Sequence, residues 1–179
     1  MQWRTYSPHM PDPVHLDLHR VRMLAIGVYA PSRDGFDLSP TICRKWIQSH
    51  YAIDHRRDKL VPTIVGEAVN LPDGAWEWLE DRLQRTEITQ VTGHPRAAAT
   101  DLPTWHLEIV TAAGPHRVRA YGAGVSSVVY GNHEVDPVLR AVNLAIRTIE
   151  QFAGRIPWTE RLDLQAVKPT SDQMADLLA

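Results

Sequence analysis

The residues best suited to chemistry in this chain are His15, Asp17 and His19, at alternate positions in the string His15-Leu16-Asp17-Leu18-His19. Side chains two apart on a strand share a face, so two imidazoles and a carboxylate could converge there on one cation. Such a donor set suits zinc, manganese or iron. Along a straight strand the three spread over roughly 13 Å, so a divalent transition metal held here needs further ligands from elsewhere in the chain. The simpler arrangement places Val14, Leu16 and Leu18 in a core and their polar neighbours in water.

A second string, Gly131-Asn132-His133-Glu134, offers another imidazole and another carboxylate. It resembles the Gly-Asn-His-Asp/Glu signature of the calcineurin-like metallophosphoesterases, and Asp17-Leu18-His19 is similar to that family's earlier Asp-x-His. The resemblance implies a metal-dependent hydrolase of phosphoesters, and together with His15 it points to His15, Asp17, His19, His133 and Glu134. It covers only these two segments. The family's intervening Gly-Asp-x-x-Asp is absent from this sequence, and so is its downstream Gly-His-x-His, because His133 is the last histidine. Two metals roughly 3.5–4 Å apart require a bridging carboxylate that these motifs do not supply.

Nucleophilic chemistry has less to build on. Cys43, next to Arg44 and Lys45, is placed for a lowered thiol pKa. At an apolar position beside Ile42, a single Cys is far more often a small core residue. No Gly-x-Ser-x-Gly elbow is present, and Gly122-Ala123-Gly124 is a lone Gly-x-Gly with no helix directly after it. A locally basic segment contains Arg44, Lys45, His50, His55, Arg56, Arg57 and Lys59, with Trp46 and Tyr51 interleaved. On a capped helix it could lie along the phosphates of a nucleic acid, although Asp54 and Asp58 dilute the charge. Six tryptophans are the remaining signal. Trp76 and Trp78 fall about 200° apart around a helix, so at least one is expected to be exposed or at a partner surface, where Trp is enriched, unless both lie partly buried at the edges of the contact. Trp158 is the third candidate contact.

Several elements must position these residues. Trp105, Leu107, Ile109 and Thr111 alternate with His106, Glu108 and Val110, and after a break at Ala113-Gly114-Pro115 the rhythm resumes to Tyr121, which predicts a hairpin. Asp136-Pro137 then opens a helix, and Val138, Leu139, Val142, Ala145, Ile146, Ile149, Phe152 and Ala153 form one apolar stripe that ends at Gly154. The hairpin is the nearest surface to bury it. Upstream, the pattern predicts strands around residues 14–19, 23–29 and 61–69, and a loop over 31–37. Helices are expected after Ser39-Pro40, carrying Ile42, Cys43, Trp46, Ile47 and Tyr51, and after Leu71-Pro72-Asp73, carrying Trp76, Leu79 and Leu83. The fold class expected is α+β: a mostly antiparallel sheet with about three helices packed on one face. An extended arm (1–13) precedes one domain (14–154), and a polar tail (155–179) with one helical turn near 172–178 follows.

A chain of 179 residues supports one sizeable domain. Its hydrophobic content of 44% and charged content of 22% are those of a soluble globular protein. A net charge of -2 provides no global field to attract nucleic acid or anionic membrane. A single cysteine excludes an internal disulfide framework, and Met1-Gln2-Trp3-Arg4 does not lead into an apolar core like that of a secretory signal. The expectation is a cytoplasmic, non-catalytic binding or regulatory module, needing no cofactor, that contacts another protein or a second copy of itself. Its candidate surfaces are the Pro-rich arm, the Trp76/Trp78 helix and the tail near Trp158. The alternatives are the metal-dependent hydrolase and a nucleic-acid contact through the basic segment.

Overall fold

The computed structural model describes residues 16–26, 33–48, 62–96, 102–123 and 137–161. Seven strands form one sheet: β1 (Leu18–Ile26), β2 (Arg33–Leu38), β3 (Cys43–Gln48), β4 (Pro62–Ala68), β5 (Thr104–Thr111), β6 (Gly114–Tyr121) and β7 (Thr159–Arg161). Their spatial order is β6-β5-β1-β2-β3-β4-β7, and every registered pairing is antiparallel. Two helices, α1 (Ala75–Gln84) and α2 (Pro137–Ala153), and a short 3₁₀ turn at Ile88–Gln90 complete the described elements. The class is therefore α+β, with two α-helices among the described residues where about three were expected.

The missing helix is β3. Ser39 does cap a turn, but a hairpin turn: its Oγ accepts from the Ile42 amide at 3.1 Å and donates to the Ile42 carbonyl at 2.8 Å. Ile42, Trp46 and Ile47 have side chains that favour pleated sheet, and neighbours on both sides decide the matter. Cys43 through Gln48 pair with β2 on one edge and β4 on the other. The same pairing turns the expected loop at 31–37 into β2. Val21 to Ala25, expected to fall between and within two strands, belong to one nine-residue strand.

The hairpin and the long helix lie where the pattern placed them. The turn of the hairpin is at 112–113, and Gly114 takes φ 112°, a conformation closed to residues with a side chain. The apolar stripe of α2 buries Leu139, Val142, Ala145, Ile146, Ile149, Phe152 and Ala153. These join Leu79 and Leu83 of α1 and one face of the sheet, including Val21, Met23, Leu38, Trp105, Leu107, Ile109 and Val118, in a single apolar cluster. Both helices thus cover the same side of the sheet, and among the described residues neither is long and apolar enough to cross a membrane.

The chain beyond Gly154 returns to the sheet. β7 pairs with β4, and Trp158 lies against Phe36 with ring centres 6.4 Å apart. The Trp158 Nε1 donates to the Ala153 carbonyl at 2.8 Å, and Lys45 Nζ stands 5.4 Å from the indole. Lys45 reaches it by crossing Gly66, where a Cβ would come within 2.6 Å of its Cε. The arm 1–13, the Asp136 cap and the turn at 172–178 lie outside the described residues.

Candidate functional site

A cleft opens between the start of α1 and the end of α2. Behind it, the half-buried indole of Trp76 donates from Nε1 to the Leu18 carbonyl at 2.8 Å. The buried Glu80, one turn further along α1, accepts from the Leu18 amide at 3.3 Å. Both backbone groups of one residue at the start of β1 are therefore held by α1, which fixes the helix on the sheet. Trp76 also meets Phe152 of α2 edge-on, at 6.2 Å and 77°.

Trp78 meets the same ring in a different way. It lies nearly parallel to Phe152, at 6.5 Å and 15°. Both indoles are partly buried, because each leans from its own side of α1 towards Phe152 and the expected opposition of the two is absorbed by their size. The outer side of Trp78 carries two guanidinium groups, Arg155 at 4.6 Å and Arg82 at 5.6 Å from the ring centre. The cleft holds about 290 Å³ and is lined by Pro72, Asp73, Trp78, Phe152, Arg155 and Ile156 among others. That volume is near the lower end for ligand pockets, roughly 300–1,000 Å³, which suits a protruding side chain better than a large cofactor.

No family model matches the chain, and no curated protein matches it either.

The residues expected to hold a metal are only partly described. Asp17 and His19 stand together, with Oδ1 and Nε2 3.3 Å apart, and both are largely exposed. Asp17 lies before β1 at φ 49°, so the two meet across a bent backbone and not along one strand face. His15, His133 and Glu134 lie outside the described residues. Among the described residues no group of three His, Cys, Asp or Glu side chains is placed to hold an ion.

The basic segment is described only at its beginning. Arg44 and Lys45 are neighbours on β3 and so point to opposite sides of the sheet. Arg44 pairs with Glu67 at 3.2 Å on the side away from the helices, whereas Lys45 lies beside Trp158 on the helix side. His50, His55, Arg56, Arg57 and Lys59 lie outside the described residues. Cys43 is buried and donates to the Ser39 carbonyl at 3.4 Å, and burial pushes its thiol up from about 9 to about 11. It is a core residue with a suppressed thiolate, contrary to an activated nucleophile.

One feature was not foreseen in the sequence. On the side of the sheet away from the helices, Arg117, Glu108, Arg22, Asp37, Arg44 and Glu67 stand opposite one another in register across six strands. Their charges alternate. Arg117 and Arg22 approach Glu108 Oε2 at 3.5 and 3.6 Å, and Arg22 lies 3.9 Å from Asp37. Arg20 forks onto Asp37 at 2.7 and 2.6 Å, and that hydrogen bond raises the guanidinium pKa above its ordinary value. Arg20, Asp37, Ser39, Ile42 and Arg44 enclose a second hollow of about 260 Å³.

Proposed function

We propose that this chain is a non-catalytic binding module that engages a protein partner through the cleft beside Trp78. The observation that supports this reading is the pair of guanidinium groups on the Trp78 indole. Arg82 and Arg155 both stand over that ring and have no carboxylate partner among the described residues. Tryptophan and arginine are the residues that most often carry binding energy at protein interfaces, provided they sit beside a pocket that excludes water. Here they flank a hollow whose lining is aromatic and aliphatic apart from Asp73 and Arg155. Those two side chains offer a charge of each sign, and the lining supplies no Ser, Cys or Lys nucleophile with a base beside it.

Photo-crosslinking in producing cells tests the proposal. A benzophenone side chain replacing Arg82 is expected to form one discrete protein adduct, and the adduct is expected to vanish when Trp78→Ala is added. The same probe at Arg119, an exposed position of β6 on the side of the sheet away from the helices, serves as the control. Adducts that are identical at positions 82 and 119, or that are indifferent to Trp78→Ala, would remove this reading.

A further inference from the structure

We infer that the segment received by this cleft presents an apolar side chain next to a carboxylate, an inference that rests on the binding role proposed for the same site. A guanidinium held over an indole by cation–π attraction leaves N–H donors available to an oxygen acceptor. Those N–H groups lie in one plane, in the geometry that a carboxylate accepts two at a time. Arg20, Arg22, Arg44 and Arg117 each face a carboxylate on the sheet, and Arg85 is bonded to Asp81 at 2.8 Å. Arg82 and Arg155 instead converge on one ring beside the cleft, whereas Arg96 stands alone over Tyr121 at 5.1 Å.

The apolar half of the recognition follows from the lining. Phe152 and Ile156 are buried, and Pro72 and Trp78 complete a surface able to enclose one aliphatic or aromatic side chain. Asp73 stands at the same cleft with no partner among the described residues and would repel a second carboxylate placed there. The acidic residue of the partner therefore lies on the Arg82 and Arg155 side. Asp73 at the cleft and Glu77 on the exposed surface of α1 add negative charge, which argues against the phosphates of a nucleic acid as the occupant.

Selection from a random heptapeptide display library against the immobilised full chain is the test. Enriched peptides are expected to carry Asp or Glu within two positions of Leu, Ile, Phe or Trp. A synthetic version of the best sequence should bind about tenfold or more weakly to Arg155→Ala, and it should lose a similar factor when its acid becomes the amide. Arg155→Lys, which keeps the charge but loses the planar fork, should also bind more weakly. Thermal melting of each variant confirms that it is folded. Enriched peptides that need Trp78 but carry no acid would overturn the carboxylate assignment and leave the binding role standing. Peptides indifferent to Trp78→Ala, no enrichment at all, or displacement of the bound peptide by a single-stranded oligonucleotide would overturn both.

Discussion

Arginines serve two different purposes on the two sides of this molecule. On the side of the sheet away from the helices they alternate with acids across six strands, and every one in the row has a carboxylate within 4 Å. Beside the helices, Arg82 and Arg155 rest on an indole and keep their hydrogen-bonding edges unused. The first arrangement spends its charges internally: cross-strand opposite charges fix register, because a slip by one residue would turn each of them to the other face. The second leaves its charges available to something else. A guanidinium's partner, and not its exposure alone, separates the stitching of a fold from a surface that can bind.

The largest effect is expected where the row is most deeply buried. Glu108 is only 5% exposed and stands between Arg22 and Arg117, without a direct hydrogen bond to its Oε2. Glu108→Ala leaves Arg22 with the more distant Asp37 alone, and removing one partner of a buried pair costs about 3 kcal/mol. Urea unfolding of Glu108→Ala, Asp37→Ala and the double variant checks this. Arg22 keeps one carboxylate in each single variant and neither in the double, so the double should cost more than the sum of the two. Strict additivity would mean that the row is a set of unconnected pairs.

The side of the sheet under the helices should respond to alkali instead. Cys43 has its thiol raised from about 9 to about 11, so the folded state holds the proton to higher pH than the unfolded chain does. The stability from this group is therefore complete below about pH 9 and is lost as pH rises towards 11, a fall of about 3 kcal/mol. Comparison of the unfolding free energies of wild type and Cys43→Ala from pH 7 to pH 10.5 isolates it. A difference that stays flat with pH would mean that the thiol is not shielded. A smaller loss, about 1 kcal/mol, is expected for Trp76→Phe, which removes the donor to the Leu18 carbonyl while keeping an aromatic ring against Phe152.

What the sequence disclosed follows the range of the forces involved. The hairpin, α2 and α1 were legible because a period of 2 or 3.6 is written in adjacent residues. β2 and β3 were not, since Gly35 and Asp37 lack strand character and Ile42 to Ile47 fit a helix equally well until neighbours on both edges claim their backbone groups. The alternating row is invisible for the same reason: its members come from six strands, and only the register reveals that they face one another. At the cleft, Trp76 and Trp78 were recognised by type. Arg82 also had a local signal, being four residues after Trp78 and so on the same helical face. Arg155 did not, because it joins Trp78 only after α1 and α2 pack together.

The smallest expected effect bears most directly on the contrast between the two regions. An exposed guanidinium on an aromatic face contributes about 0.5–1 kcal/mol, so Arg82→Ala and Arg155→Ala should each lower the unfolding free energy by no more than that. Trp78 would remain stacked on Phe152, and the tryptophan fluorescence of the folded protein should change only slightly. A loss of 2 kcal/mol or more from either variant would show these arginines to be structural, like Arg22, and the distinction would collapse. Small losses would mean that the two cations on this tryptophan add little to the fold, and that their hydrogen-bonding edges remain available to a carboxylate from outside it.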